Sequence, residues 1–207
     1  MLKQLSIDDL KKSFLPVFFL LLLISLVFSP CLKNEFINWD DDQNIYLNTV
    51  FQEKDALKKI WFSFKMPAYL PVTNSLWYLQ RSIFGVKGSS AFYFHLVSLF
   101  VYLLNALLLY FLMLRFNLAP LLSFFITLFF AIHPWRVETV AWVTEQKSLF
   151  SGFFLLLSWH FFISIKSSNP FKELAYWASV IFFLPVNFFQ SNPYFIPPYF
   201  FPGQLFF

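Results

Sequence analysis

The chain has 207 residues, of which 58% are hydrophobic, 24% aromatic and only 13% charged. An ordinary soluble domain carries about 25% charged residues, so this composition excludes a disordered chain and argues against a soluble globular domain. The formal net charge of +4 does not indicate a nucleic-acid-binding protein, because the basic residues form no soluble basic patch.

The charges are distributed unevenly along the chain. Five windows contain no Asp, Glu, Lys or Arg, namely 13–32, 88–114, 116–135, 148–165 and 174–207. Uncharged apolar runs of at least 18 residues are typical of membrane helices, because about 20 residues at a rise of 1.5 Å cross the hydrocarbon core. The pattern therefore predicts an integral, multi-pass membrane protein that contacts the lipid bilayer.

In chain order, the windows predict helices at about 14–32, 91–114, 118–132 and 149–165, and a fifth helix that begins near Leu174. We expect a membrane region over 1–173, followed by an unusual Pro/Phe-rich tail within 174–207. The predicted fold class is all-α: a polytopic membrane helix bundle with four to five transmembrane helices and short helices in its long first outer loop. The single cysteine, Cys31, ends the first apolar run and excludes an intrachain disulfide. That run is longer than a signal-peptide core, so we expect the first helix to be retained.

The orientation of the bundle follows from the distribution of Lys and Arg near the helix ends. A cytoplasmic N-terminus places 1–12, 115–117 and 166–173 inside, and these segments are denser in Lys and Arg than the loops 34–87 and 133–147. This bias predicts that the two long loops lie outside. The bacterial inner membrane is the expected location, or the endoplasmic reticulum in a eukaryote.

An acidic segment follows the first helix. Asp40, Asp41 and Asp42 are consecutive, and Trp39 precedes them. One of these carboxylates could act as a general base, or Asp40 and Asp42 could bind a divalent cation through their oxygens. The alternative is a solvated acidic turn that caps a following helix. Trp39 is expected to anchor the segment at the membrane interface.

The rest of the first loop contains two helical patterns. Residues 51–64 are predicted to form an amphipathic helix with Leu57, Ile60, Trp61 and Phe64 on its apolar side. This helix could lie beside a lipid-borne substrate or simply pack the loop. Residues 67–74 are predicted to form a turn, and 75–84 a short helix that ends at Gly85.

The second outer loop, 133–147, combines tryptophan with charge. A helix that starts at Pro134 would place Trp135, Glu138, Trp142 and Glu145 on one face. Aromatic rings pack on sugar C–H groups and carboxylates accept sugar hydroxyls, so this face predicts carbohydrate binding. The alternative is an interfacial helix with a tryptophan belt. His133 could be an acid/base group or a ligand, but a hydrogen-bonded structural histidine is the favoured interpretation.

Three stretches together resemble a known family. They are 38–42 (NWDDD), 69–74 (YLPVTN), and 130–134 with 137–147 (FAIHP and VETVAWVTEQK). They are similar to the N-terminal part of TMTC-type protein O-mannosyltransferases and of bacterial tetratricopeptide-repeat membrane proteins. The resemblance covers about 14–165 and implies the GT-C fold.

The resemblance also implies an activity: transfer of a sugar from polyprenyl phosphate to a hydroxyl of an acceptor protein or glycan. It places the acidic pair at Asp40 and Asp41, one of which would accept the hydroxyl proton. Arg136 or Lys147 would stabilise the leaving phosphate, and Glu138 and Glu145 would line the sugar or acceptor site. The residues expected to bind substrate are Trp39, Asp42, His133, Arg136, Glu138, Trp142, Glu145 and Lys147. A divalent cation is an optional cofactor in this interpretation.

The sequence also departs from the family pattern. Leu70 stands where the family often has Arg, Ser98 where Asn is common, and Ser148 where a carboxylate or amide often follows. GT-C enzymes have about a dozen helices, so we expect this chain to be a fragment that is inactive alone. The tail holds five of the twelve prolines, which disfavours a helix and suggests a frameshift near Leu184. The alternative function is a non-enzymatic multi-pass membrane protein, such as a small transporter subunit or scaffold.

Overall fold

The computed structural model describes residues 6–63, 69–87, 89–166 and 173–189. Within these ranges every regular element is helical and no residue lies in a β-strand, which confirms the all-α prediction. The α-helices are α1 (Ile7–Phe28), α2 (Ala56–Phe62), α3 (Pro71–Phe84), α4 (Ser90–Arg115), α5 (Pro120–Ala131), α6 (Arg136–Ala141), α7 (Gln146–Phe162) and α8 (Leu174–Phe189). Short 3-10 turns lie at Ser29–Lys33, Thr49–Gln52 and Val143–Glu145, and a π-helical turn lies at Asp42–Tyr46.

Two helical stretches are long and apolar enough to cross a bilayer. They are Ile7–Lys33, with 27 residues, and Ser90–Arg115, with 26 residues. Shorter apolar stretches lie at Pro120–Ala131 and Leu174–Phe183. The membrane association expected from the sequence is supported to this extent.

α1 begins at Ile7, well before the predicted start near residue 14. The reason is a capping box: the Ser6 hydroxyl accepts from the Asp9 amide at 3.2 Å, and the Asp9 carboxylate accepts from the Ser6 amide at 2.9 Å. This reciprocal pair satisfies two amides that a helix start leaves without partners. The polar residues that follow Ser6 therefore belong to the first helix.

α4 lies at the centre of the bundle, in contact with α1, α5 and α7. One apolar cluster joins these helices, and it includes Leu20, Ile24 and Phe28 of α1, Leu99, Tyr102, Ala106 and Tyr110 of α4, Ala131 of α5 and Leu149 of α7. α8 packs along α7, where the Ser158 hydroxyl donates to the Ser179 carbonyl at 2.8 Å. α8 continues through Pro185 to Phe189, and the remainder of the tail, 190–207, lies outside the described residues.

Outside this cluster, the bundle exposes large apolar side chains. Phe14 is 73% exposed on α1, and Leu121 and Phe129 of α5 are 64% and 71% exposed. Contiguous exposed apolar surface of this kind is unusual for a soluble protein and marks a surface that contacts lipid or another protein. The bundle is therefore apolar on the outside as well as inside.

The described parts of segments 34–87 and 133–145 fold together over one end of the bundle. We call these parts, with the adjoining ends of α4 and α7, the loop end. A second apolar cluster forms here from Ile45, Val50, Phe51, Ile60, Trp77, Phe94 and Val143. The two segments that separate the long helices in the sequence are thus parts of one folded cap. α4 joins the cap to the bundle, since Phe94 belongs to the loop-end cluster and Leu99 to the bundle cluster.

Within the first segment, the predicted helices differ in their boundaries. The predicted turn at 67–74 is wrong from Pro71 onward, because Pro71 occupies the first turn of α3. α3 ends at Gly85, as predicted, and this glycine has a φ of +72°. Phe64, at the end of the predicted amphipathic helix 51–64, lies outside the described residues. The described part of that helix is helical only as the 3-10 turn Thr49–Gln52 and as α2. The helical conformation is interrupted between them, at residues 53–55. Lys59 of α2 forms ion pairs with Glu53 and Asp55 of this interruption.

The single helix predicted from Pro134 is also wrong. α6 ends at Ala141, Trp142 is extended with φ −104° and ψ 121°, and a 3-10 turn leads into α7 at Gln146. The spacing of Trp135, Glu138, Trp142 and Glu145 therefore does not place them on one helical face. The break has a tertiary cause, since it brings the Thr144 amide and hydroxyl to a buried carboxylate of the first segment.

Candidate functional site

The acidic segment is fixed to the second loop-end segment through Asp41. Its carboxylate is fully buried, and Oδ1 accepts from the Thr144 amide at 3.0 Å and from the Thr144 hydroxyl at 2.5 Å. Its other oxygen, Oδ2, accepts from the Ile37 amide at 2.9 Å. Three donors around one buried carboxylate compensate the loss of its hydration. The structure thus brings together two sequence motifs that lie 103 residues apart.

The neighbouring carboxylates have different surroundings. Asp40 and Asp42 are half-buried, and Asp42 Oδ1 accepts from the amide of the next residue, Gln43, at 2.8 Å. Among the residues that the structure describes, Asp40 makes no side-chain hydrogen bond or ion pair. Trp39 is 74% exposed beside them. The three aspartates are therefore not equivalent: one is a buried acceptor, and two face the surface.

The turn after the acidic segment is clamped by polar contacts. The Tyr46 hydroxyl donates to Asn38 Oδ1 at 2.5 Å. Desolvation and the nearby charges of Asp42 and Asp41 raise the pKa of the Tyr46 phenol, so it remains a donor at neutral pH. On the other side, Arg81 of α3 donates to the carbonyl of Ile45 at 2.6 Å. Burial lowers the pKa of Arg81 from its ordinary value.

A buried amide cluster lies below this turn. Gln146 Nε2 donates to the Phe94 carbonyl at 2.9 Å, and the cluster also contains the side chains of Gln80 and Ser98. The Gln80 amide returns a hydrogen bond to Gln146 Oε1 at 2.8 Å. All three side chains are at most 6% exposed. The cluster ties α3, α4 and α7 together directly behind the Asp41–Thr144 contact.

His95 of α4 completes the buried polar region. It is 1% exposed, and in the described part of the chain neither ring nitrogen pairs with a side chain. The ring lies within electrostatic reach of Asp41 and beside the Glu35 backbone carbonyl. A buried polar group with unused hydrogen-bonding capacity is rare in native proteins and calls for an explanation.

The start of the second segment forms an exposed aromatic surface. Trp135 is 84% exposed, and its amide donates to His133 Nδ1 at 3.3 Å, which agrees with a hydrogen-bonded structural histidine. The Arg136 guanidinium lies 4.3 Å from the centroid of the Phe130 ring. Glu138 is exposed on α6. Together these side chains form a surface at the end of α5 with aromatic and charged character.

The charged residues at the end of this segment bind one another. The Glu145 carboxylate forms an ion pair with the Lys147 ammonium at 2.9 Å. It also accepts a hydrogen bond from the Ser148 hydroxyl at 2.6 Å. The Lys147 ammonium also lies 6.0 Å from the Trp142 ring centroid. Lys147 is therefore neutralised by a neighbour, whereas Arg136 has no carboxylate partner within the described residues.

The possible divalent-cation site at Asp40 and Asp42 lacks further ligand side chains in the described part of the chain. The described residues contain no group of three or more His, Cys, Asp and Glu side chains that could hold a metal ion. Asp40 and Asp42 alone supply fewer oxygens than a calcium ion requires, and a magnesium ion there would need water or phosphate oxygens beside them. We therefore derive no chemical step through a metal.

Sequence reasoning identified the acidic segment and the second segment but missed the residues that connect them. Thr144, Gln146, Gln80 and Arg81 are uncharged or isolated in the sequence, and no spacing rule relates them. One usable signal existed: glutamine in a chain with few polar residues is costly to bury without a partner.

The chain was also compared with known proteins. No protein-family model matches it, and no curated protein and no solved structure is significantly similar to it. The resemblance noted in the sequence therefore rests on the three sequence stretches alone.

Proposed function

We propose that the protein is a multi-pass membrane protein in which α1, α4, α5, α7 and α8 form four to five spans. The lengths of α1 and α4 and the exposed apolar faces of α1 and α5 support this arrangement. The positive-inside bias supports a cytoplasmic N-terminus and an external loop end.

Cysteine accessibility tests this topology. In a Cys31→Ser background, Leu47→Cys places a thiol at a loop-end position that is 63% exposed, and Phe116→Cys places one at the opposite end of α4, where the side chain is 43% exposed. A membrane-impermeant maleimide should label intact cells at position 47, and at position 116 only after lysis. Labelling of both positions from the same side would refute the proposed topology.

We further propose that the loop end is part of a glycosyltransferase that moves a sugar from polyprenyl phosphate to an acceptor hydroxyl. The observation that carries this proposal is the buried contact of Asp41 with Thr144, since it joins two of the segments whose sequences resemble sugar transferases. The chemistry of the surface agrees with the proposal. It combines carboxylates, exposed tryptophans and Arg136, which has no carboxylate partner among the described residues. The bundle provides the apolar surroundings that a polyprenyl chain requires.

The proposed reaction needs no oxidant or reductant. The acceptor hydroxyl oxygen attacks the anomeric carbon and forms the new glycosidic bond. The bond from the anomeric carbon to the phosphate oxygen breaks, and polyprenyl phosphate leaves with the electron pair. The hydroxyl proton passes to a carboxylate of the acidic segment. Inversion at the anomeric carbon is expected for an attack opposite the leaving phosphate.

The geometry favours Arg136 over Lys147 as the phosphate contact. Lys147 is paired with Glu145 at 2.9 Å, and freeing it would cost that ion pair. Arg136 is held against the Phe130 ring, which orients the guanidinium and leaves its N–H groups available. The planar guanidinium donates to phosphate oxygens in pairs.

Donor binding tests the proposal with the chain as it exists. The purified chain in lipid nanodiscs is titrated with a photoreactive polyprenyl-phosphate mannose, with the unlabelled lipid as competitor. We expect saturable, competed labelling that Arg136→Ala weakens about tenfold, since a hydrogen bond to a charged group contributes 1.5–3 kcal/mol. Lys58→Ala removes an exposed loop-end cation and serves as the matched control.

Two results would contradict the proposal. One is the absence of saturable labelling, which would favour the non-enzymatic alternative. The other is equal weakening of donor binding by Arg136→Ala and Lys58→Ala, which would attribute the weakening to the net positive charge of the loop end and not to Arg136 itself. Addition of an acceptor peptide or glycan to the same nanodiscs then measures whether the chain transfers the sugar or only binds the donor.

A further inference from the structure

The acidic segment contains two adjacent carboxylates whose hydrogen-bonding states are opposite. Asp41 is 0% exposed and accepts three hydrogen bonds, from the Thr144 amide, the Thr144 hydroxyl and the Ile37 amide. A carboxylate with these partners has its oxygens occupied by protein donors and is shielded from any acceptor molecule. It is therefore unsuited to take up a proton from a substrate.

Asp40 has the complementary properties. Its side chain is half-buried, and it makes no hydrogen bond or ion pair with the rest of the described chain. Since Asp40 directly precedes Asp41, its position depends on how firmly Asp41 is held. Thr144 supplies two of the three bonds that hold Asp41, and its own side chain is 2% exposed.

An independent observation points to a ligand at this place. His95 approaches the segment from the bundle side and is 1% exposed. Its ring lies beside the Glu35 backbone carbonyl, and among the described residues no side chain pairs with either ring nitrogen. Its surroundings also include Asp41. The segment is thus bordered by a group with unused hydrogen-bonding capacity, which a polar ligand atom could satisfy.

We propose that Thr144 and Asp41 are positioning residues that hold the acidic segment so that Asp40 alone is presented to the acceptor hydroxyl. The proposal rests on the proposed function and divides the roles within its acidic pair. Asp40 is then the carboxylate that accepts the proton, and Asp41 acts through its neighbour without touching substrate.

Carboxyl labelling tests this division without requiring catalysis. The full chain in nanodiscs is treated with a water-soluble carbodiimide and glycine ethyl ester, and modified residues are quantified by mass spectrometry. In the wild type, Asp40 should be modified and Asp41 protected about tenfold or more, because hydrogen bonds to a charged group contribute 1.5–3 kcal/mol.

Variants at Thr144 isolate the hydroxyl. Thr144→Val keeps the side-chain shape and the amide but removes the hydroxyl that donates to Asp41. It should raise the modification of Asp41 about tenfold, by loss of one hydrogen bond to a charged group. Thr144→Ser retains the hydroxyl and should restore the wild-type pattern. Thr139→Val, at a half-buried position of α6, is the matched control for the same substitution.

Protection of Asp40 by the bound donor distinguishes a positioning role of Thr144 from a role in fold stability alone. Bound polyprenyl-phosphate mannose should protect Asp40 from modification in the wild type and in Thr144→Ser. In Thr144→Val the donor should bind with unchanged affinity and yet protect Asp40 several-fold less. A residue that only stabilised the fold would lower donor affinity and protection together.

The outcomes are distinguishable. Equal modification of Asp40 and Asp41 in the wild type would overturn the proposal, and so would a Thr144→Val pattern that matches the wild type. Absence of donor binding would overturn the proposed function, while the labelling pattern would still decide whether Thr144 and Asp41 hold the segment.

Discussion

The bundle and the loop end are stabilised by different kinds of contact. In the bundle, apolar side chains fill the space between the helices, and polar contacts within it are single, such as the Tyr102 hydroxyl on the Ala131 carbonyl at 2.5 Å. A shared polar contact lies only at the far end of α4 and α7 within the described residues, where Arg115 donates to the His160 carbonyl at 2.6 Å and to the Ser164 hydroxyl at 2.7 Å. At the loop end, buried polar side chains share partners: Asp41 has three donors, and Gln146 contacts two side chains and a backbone carbonyl.

This difference predicts how each region responds to substitution. Loss of an isolated hydrogen bond between membrane helices is modest, because unfolded helices in a bilayer find other partners. Loss of one member of a shared buried cluster leaves several groups without partners, and each costs about 1–3 kcal/mol. The loop end should therefore be the more sensitive region, although the bundle is larger.

The largest effect is expected for Asp41→Ala. The Thr144 amide, the Thr144 hydroxyl and the Ile37 amide would lose their common acceptor in a buried place. We expect a loss of about 3–5 kcal/mol in the free energy of unfolding, since breaking a buried charged contact leaves its partners unsatisfied. Thermal unfolding in nanodiscs, followed by tryptophan fluorescence, measures the change. Asp42→Ala is the matched control, and a similar loss there would remove the distinction between the two carboxylates.

Substitution of the amide cluster should have a smaller effect, and a non-additive one. Gln146→Leu leaves the Gln80 amide and the Phe94 carbonyl without their buried partner, so we expect a loss of about 2–3 kcal/mol. Gln80→Leu should cost a similar amount. The double variant Gln80→Leu/Gln146→Leu should lose less than the sum of the two, by about 1 kcal/mol, because the two residues are in contact. Strict additivity in a double-mutant cycle would contradict the shared cluster.

The same glycine substitution should have opposite signs in the two regions. Gly85 ends α3 with φ +72° and ψ −167°, a conformation that only glycine adopts readily, so Gly85→Ala should cost about 1–3 kcal/mol. In α7, a Cβ added at Gly152 would lie 3.7 Å from Asn105 Nδ2, which is ordinary contact. Gly152→Ala should stabilise the helix by up to about 1 kcal/mol. Unfolding midpoints that shift in the same direction would contradict this contrast.

The smallest loss is expected for Asn105→Leu in the bundle. The Asn105 side chain donates to the Leu149 carbonyl at 2.9 Å and joins α4 to α7. Its removal should cost about 0.6–1.7 kcal/mol, the range for hydrogen bonds between membrane helices. Comparison with Gln146→Leu, measured in the same nanodiscs, gives the contrast between regions directly. An Asn105→Leu loss that exceeds the Gln146→Leu loss would reverse it.

The positions of the long helices could be predicted because one physical requirement, an uncharged apolar run, is local in sequence. The helix boundaries were harder to predict from the sequence. α1 starts at Ile7 because Ser6 and Asp9 cap each other, and polar residues at the start of a helix resemble a loop. Pro71 was ambiguous for a related reason, since proline is favoured both in turns and in the first helical turn.

The candidate site was predictable in composition but not in roles. The acidic segment is visible as three consecutive aspartates, yet burial divides them, and identical residue types give no signal of burial. The helical spacing of 135–145 was consistent with one face, but tertiary contacts of Thr144 and Gln146 override it. Contacts over 103 residues depend on how the helices pack, and local patterns contain no information about that.

The contact of Asp41 with Thr144 also constrains when the protein can mature. Asp41 is synthesised 103 residues before its main donor, which at 5–20 residues per second corresponds to a wait of about 5–20 s. In the proposed topology, α1, α4 and α5 enter the membrane one after another during that time, while the Asp41 carboxylate stays hydrated at the surface. Closure of the loop end is therefore a late step of biogenesis, because it requires that the chain has been synthesised up to the start of α7.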